Sequence, residues 1–179
     1  MKKIMMTLAA VCVAATMNAQ TWAGGELGFT GKHINGAENS NTTFSIKPEI
    51  GYNLDDNLAV AVALGYTHTN PASGSNSNAF SINPYLRYTF VKAGNFSAFF
   101  DGGLDYTTTH TQGADKNSNS FGVSVVPGLA YAVSDKVTLV SHLGDGLYFK
   151  HYWYEGVSRS SSYGLNLFNA ISFGAYYNF

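Results

Sequence analysis

Four ten-residue segments of the sequence superpose without gaps: SIKPEIGYNL (45–54), SINPYLRYTF (81–90), SVVPGLAYAV (124–133) and AISFGAYYNF (170–179). Pro48, Pro84, Pro127 and Phe173 share one column, and Tyr52, Tyr88, Tyr131 and Tyr177 share another. Leu54, Phe90, Val133 and Phe179 close the segments. Even columns are large and apolar, while odd columns are mostly small or polar. That is the period of two that puts alternate side chains on opposite faces of a β-strand, and no 3.6-residue helical face can be drawn through it. Between these segments a shorter core recurs as Leu27-Gly28-Phe29, Leu64-Gly65-Tyr66, Leu104-Asp105-Tyr106 and Leu147-Tyr148-Phe149. The repeat therefore predicts eight strands in four hairpin units.

The connectors alternate in kind. Leu54 to Asn57, Val91 to Asn95 and Ser134 to Lys136 read as tight polar turns, whereas 33–42, 69–79, 108–120 and 150–162 are longer and rich in Asn, Ser, Thr and Gly. Short turns at one end and long loops at the other are the asymmetry of an up-and-down barrel in a membrane. Composition bears on the same choice. Charged residues make up 12% of the chain, about half the ~25% of ordinary soluble domains, at an unremarkable 45% hydrophobic content. A formal charge of −1 without a basic stripe argues against nucleic-acid binding. Past residue 20 no apolar run approaches the ~18 residues a membrane helix needs.

The first nineteen residues stand apart. Met1-Lys2-Lys3 precedes the uncharged apolar stretch Ile4–Met17 and the small-residue end at Ala19, which predicts a secretory signal peptide over 1–19 and a mature barrel domain over 20–179. Loss of Lys2 and Lys3 leaves 8 basic residues against 11 acidic ones, a mature charge of −3. Cys12, the one cysteine, lies in the leader, so the mature chain offers no disulfide, thiol nucleophile or zinc–thiolate site.

Alternation does not by itself say which face meets lipid. A soluble lipocalin-like barrel would turn its apolar face inward and present charges to water. Here the non-apolar face is Gly, Ala, Ser, Thr and Asn with few ions. The apolar face carries aromatics at two levels: Tyr52, Tyr88, Tyr131 and Tyr177 near the short turns, and Phe29, Tyr66, Tyr106 and Phe149 near the long loops. Two girdles around an aliphatic belt match the exterior of a membrane barrel. From Leu58 to Tyr66 a tilted strand rises roughly 20 Å, close to the ~25 Å apolar band.

On these features the chain resembles the small eight-stranded outer-membrane β-barrel family, similar to OmpX and the transmembrane half of OmpA. The resemblance rests on Pro84–Phe90, Gly51-Tyr52, Pro127–Tyr131 and the terminus Phe173–Phe179, and it spans about residues 21–179. It implies a bacterial outer-membrane location, lipid as surroundings and a monomer. It also implies a last strand ending in an aromatic, Phe173, Tyr177 and Phe179, read by the barrel-assembly machinery during biogenesis. No cofactor is implied.

With apolar residues outside, the lumen receives Glu26, Lys47, Glu49, Arg87, Asp101 and Asp105, together with Tyr85, Phe99, Phe168 and Tyr176. Eight strands leave a lumen just wide enough for side chains to fill, and buried charges must be paired. Hairpin symmetry places Arg87 diagonally near Asp101, and Lys47 within reach of Glu26 or Glu49. The expected product is an internal polar plug; the alternative is a narrow, gated, cation-preferring pore. The proline column conflicts with continuous pairing, because proline has no N–H for the ladder. Bulges or locally wide pairing would explain it, and so would descent of the segments from one duplicated hairpin. In the seventh strand, Val137–Phe149, the outward register of Leu139, Leu143 and Leu147 also turns Asp145 to lipid. A bulge or a strand end at Gly144-Asp145-Gly146 would remove that cost.

Candidate chemistry is sparse. His33, His68, His110 and His151 fall near one rim and could ring a metal or haem, but no close-spaced pair or carboxylate cluster accompanies them. Ser141 and His142 are sequence neighbours and so point to opposite faces, no elbow motif G-x-S-x-G occurs, and no catalytic residues or metal ligands are assigned. Tyr152, Trp153, Tyr154 and Arg159 in the last long loop could bind a partner or glycan. The sequence thus favours a structural or surface-interaction role, with a pore, a loop-mediated adhesin and an enzyme as the other classes.

Overall fold

The computed structural model of the chain describes residues 20–32, 41–154, 158–167 and 171–179. The predicted signal segment, His33 and Phe168 lie outside the described residues. Ten strand segments are present: β1 (Thr21–Lys32), β2 (Asn41–Asn53), β3 (Leu58–Asn70), β4 (Ser77–Ala93), β5 (Phe96–Thr111), β6 (Ser118–Ala132), β7 (Val137–Leu143), β8 (Gly146–Tyr154), β9 (Ser158–Asn166) and β10 (Ile171–Asn178). Every pairing is antiparallel. β1 to β6 pair in sequence order, β6 continues to β7 and β8, β8 pairs with β9, β7 with β10, and β10 with β1. β7 with β8, and β9 with β10, are two halves of single barrel strands, so the closed barrel has eight.

The turns follow from their residues. In Leu54–Asn57 the Asp55 carboxylate accepts the amides of Asn57 (2.7 Å) and Leu58 (2.8 Å), an Asx turn. The β4–β5 connection is the dipeptide Gly94-Asn95, with Gly94 at a φ of +60°, the left-handed geometry that a two-residue hairpin needs. Ser134 Oγ accepts the amides of Lys136 and Val137 in the third turn.

At the other end the strands run further than the composition of the connectors suggests. The connectors shrink to 71–76 between β3 and β4 and to 112–117 between β5 and β6. The expected loop 150–162 is corrected: β8 extends to Tyr154 and β9 begins at Ser158, so most of that stretch is paired strand, with Trp153 opposite Arg159. Serines 160–162 carry no apolar alternation, yet their backbone groups complete the ladder as well as any residue's.

Large apolar side chains face outward all round the barrel, among them Leu27, Phe44, Ile46, Phe80, Ile82, Leu86, Val123, Val125, Leu139 and Leu147. The inner core is small and lies toward the short turns. It comprises Trp22, Ala61, Ala63, Tyr85, Phe99, Val140 and Tyr176, with Trp22 and Tyr176 stacked at 4.2 Å between ring centroids. Phe99 is 1% exposed and lies against Gly128, where an added Cβ would meet its Cζ at 2.3 Å.

The prolines interrupt the ladder on one side only. Pro48 pairs with β1, but the β2–β3 ladder lapses between Ile46–Tyr66 and Glu49–Ala63. Pro84 pairs with β3, and the β4–β5 ladder lapses between Ile82–Tyr106 and Tyr85–Gly103. In both cases the register resumes unchanged. At Pro127 the continuous side is β5, and on the other side the partner strand breaks into β7 and β8. Between the pairs Val125–Leu147 and Gly128–His142 there are three steps along β6 against five along its partner. The Gly144-Asp145-Gly146 segment is therefore a two-residue bulge, which keeps Leu143 and Leu147 on the outer face and puts Asp145 in the lining of the lumenal cavity.

Gly146 has a φ of +66°, and a Cβ there would approach Val125 O to 2.0 Å. Gly146→Ala should accordingly lower barrel stability by about 2 kcal/mol or more, read as a shifted midpoint of urea unfolding in detergent micelles.

Candidate functional site: a stoppered lumen with a vestibule

One connected group of side chains spans the lumen. Arg87 on β4 and Asp101 on β5 are direct cross-strand partners, not diagonal ones. Arg87 Nε donates to Asp101 Oδ1 at 2.8 Å and Nη2 donates to Oδ2 at 2.7 Å, a bidentate pair with both side chains buried. Nη2 also donates to the Tyr176 hydroxyl at 3.1 Å. The guanidinium carbon lies 3.9 Å from the Phe99 ring centroid, 5.2 Å from that of Tyr176 and 5.4 Å from that of Trp22. The cation is held in an aromatic box as well as by its carboxylate.

His142 on β7 extends the network across the lumen. Its Nε2 lies 2.8 Å from Asp101 Oδ2 and its Nδ1 lies 2.5 Å from Glu26 Oε1 on β1. Two ring nitrogens facing two carboxylates are both matched only when both carry a proton. In the sequence His142 stands out only as the neighbour of Ser141. The signal that places it was available: His142 shares the inward parity of Val140, opposite to Leu139 and Leu143. Glu26 faces Lys47 in the β1–β2 ladder, yet its carboxylate forms its ion pair with His142. Glu49, 5% exposed, accepts the Tyr85 hydroxyl on Oε2 at 2.7 Å.

Asp105 sits further toward the β8–β9 hairpin. It accepts from Asn83 Nδ2, and its Oδ1 lies 3.6 Å from Lys150 Nζ. Between the stopper and this end lies a cavity of about 420 Å³, lined on its floor by Glu26, Glu49, Tyr85 and Asp101, and higher up by Asp105, Tyr148, Lys150, Tyr152 and Ser162. The six charged residues expected in the lumen are placed at two levels: Arg87, Asp101 and Glu26 in the stopper with Lys47 and Glu49 beside it, and Asp105 above.

The other predicted residues divide. Phe29, Tyr106 and Phe149, and Tyr52, Tyr88, Tyr131 and Tyr177, are exposed on the outer face, with Tyr66 half-buried among them against Phe80. Phe173 and Phe179 are exposed on the same face. The four proposed loop residues do not form one loop cluster. Tyr152, Trp153 and Tyr154 are in β8 and Arg159 in β9, because the ladder takes in residues that composition assigned to a loop. Tyr152 lines the cavity, whereas Trp153 stacks beside His151 and Tyr106 on the outside. His68, His110 and His151 do not converge on one site. Each places Nδ1 at hydrogen-bond distance from a different neighbour: Asn78, Asn117 and Ser161 respectively. No group of three or more metal-ligating side chains exists among the described residues.

Cutting one side of the central pair strands a buried charge. Arg87→Met should cost about 3–5 kcal/mol. A cycle with Asp101→Leu should return part of that loss in the double variant, with a coupling of about 2 kcal/mol, measured by urea unfolding midpoints.

The fold has solved counterparts. Neisserial surface protein A (NspA) superposes with a TM-score of 0.53 at 20% identity, covering 89% of this chain and 95% of the other. The outer membrane protein OprG from Pseudomonas aeruginosa gives 0.51 at 12% identity, covering 89% and 93%. No curated protein sequence matches the chain. A family model described as "Outer membrane protein beta-barrel domain" matches residues 4–179. Its location is the bacterial outer membrane, where its outward apolar face meets lipid. The chain belongs to the outer membrane protein beta-barrel domain family.

Proposed function

We propose that the protein is a closed, non-conducting outer-membrane barrel whose long-connector end faces outward and carries a surface-interaction role. The observation that carries this reading is the stopper: Arg87, Asp101, His142 and Glu26 span the lumen from β4 to β1, with Phe99, Tyr176 and Trp22 packed on its turn side and Tyr85 on its cavity side. A buried network of this kind opens only by breaking paired charges in a low-dielectric setting, which is costly for each charge left alone. Above the stopper the lumen widens into a polar vestibule, so contact with outside molecules is available without a path through. Phe173, Tyr177 and Phe179 serve as the assembly signal in this reading, and the leader 1–19 directs export. No catalytic role is assigned. Ser141 lies on the outward parity while the His142 ring is held by two carboxylates inside, so the two cannot act as nucleophile and base.

The gated pore is the competing class, and planar-bilayer recording separates the two. Refolded protein should show no discrete current steps. Stepwise conductance of the unmodified chain would overturn the closed-barrel reading in favour of the pore.

A further inference from the structure

Gln20, immediately ahead of β1, carries chemistry that the lumen does not use. It is exposed at the short-turn end of the barrel. Its backbone oxygen accepts the amide of Asn53 at 2.8 Å, which carries the β1–β2 ladder one step past the Thr21–Tyr52 pair. On the other side Thr21 O accepts the Phe179 amide at 3.0 Å, so the start of β1 is held from both neighbouring strands. The Gln20 side chain is turned to β2, where its Oε1 accepts the hydroxyl of Tyr52. The leader expected over 1–19 ends at Ala19, and cleavage there makes the nitrogen of Gln20 the α-amino group of the mature chain. That residue then holds a nucleophile and an amide carbon separated by the span of a five-membered ring.

We infer that the mature amino terminus is a modification site, at which Gln20 cyclises to a pyroglutamyl lactam with the Tyr52 hydroxyl assisting. The neutral α-amino nitrogen attacks Cδ of the carboxamide and forms the ring C–N bond. The Cδ–Nε2 bond breaks, the proton lost by the attacking nitrogen passes to Nε2, and one ammonia leaves. No oxidant, reductant or co-reactant is consumed. Negative charge develops on Oε1 as Cδ becomes tetrahedral, and the Tyr52 O–H is already donated to that atom. Both reacting groups belong to one residue, so no second molecule has to be brought up, and an α-amino group is partly uncharged near neutral pH. The lactam keeps its carbonyl oxygen as an acceptor, while the terminus loses its positive charge. This inference rests on the export leader ending at Ala19, since only cleavage there frees the nitrogen.

The test is mass spectrometry of the N-terminal proteolytic fragment of the full chain, expressed with its leader in a bacterial host and purified from the outer membrane. The expected fragment begins at residue 20 and is lighter by one ammonia than its encoded sequence. Pulse labelling follows how fast the lighter form appears. Tyr52→Phe keeps the ring but removes the O–H, and should slow that step roughly tenfold, less than for a donor in a dry site. Gln20→Asn could close only through a strained four-membered ring, and should keep a free amine and the encoded mass. Heat-modifiable gel migration confirms that each variant folds. A fragment that begins at residue 20 with the encoded mass overturns the cyclisation and leaves the leader boundary standing. A fragment that begins elsewhere, or a chain that keeps its leader, overturns the boundary and the inference with it. An unchanged rate in Tyr52→Phe overturns the assistance assigned to its hydroxyl. Should Tyr52→Phe fail to fold, the fragment mass of the chain with its own sequence decides alone.

Discussion

The bidentate pair between Arg87 and Asp101 organises the inside of this barrel. A barrel with its apolar side chains turned to lipid has little left with which to build a hydrophobic interior, so its centre must be held by something else. Here a guanidinium is matched by a carboxylate in fork geometry and then walled by Phe99, Tyr176 and Trp22. The arrangement satisfies the charge and uses the cation's flat faces as packing surface. Gly128 belongs to the same device, because Phe99 can reach its place only over a position with no side chain. His142 then ties β7 to β5 and β1 through two carboxylates, so side chains as well as the backbone ladder join strands across the lumen.

The wall is less regular than the repeat implies, and apart from a register shift between Thr89 and Val91 the irregularities share a cause. Each of the three strand prolines keeps one ladder and forfeits a stretch of the other, as expected of a residue that cannot donate a backbone hydrogen bond. At Pro48 and Pro84 the neighbouring strand passes the gap in register. At Pro127 the neighbour uses the gap to insert two residues, with Gly144 and Gly146 in the left-handed conformation that makes the insertion feasible. The bulge also spares the barrel a carboxylate on its lipid face, because Asp145 joins the cavity lining. It lies at the level where the packed lower lumen gives way to the vestibule.

Much of this was legible from local pattern. The two-residue period through 45–54, 81–90 and 124–133 identifies strands, their outward faces and the inward parity of Lys47, Glu49 and Arg87. Hairpin symmetry brings Arg87 near Asp101 but misses by one diagonal, since the Gly94-Asn95 turn is shorter than the polar stretch 91–95 and a further register shift between Thr89 and Val91 sets Arg87 directly opposite Asp101. The stretch 150–162 has the composition of a loop because Ser160–Ser162 have no apolar alternation to announce a strand. Pairing there is a backbone matter, which side-chain composition does not record. The choice of Glu26 between Lys47 and His142 was equally hidden, as it turns on how a side chain from β7 meets one from β1 across the lumen.

The sequence by itself determined that this chain forms an eight-stranded barrel with lipid outside and paired charges within, because alternation is a local property that every strand carries in its own residues. The tertiary structure decided where those charges gather, that Arg87, Asp101, His142 and Glu26 join across the lumen, and that a cavity lies above them. Those outcomes depend on distances between strands far apart in the chain, and only closure of the barrel sets such distances.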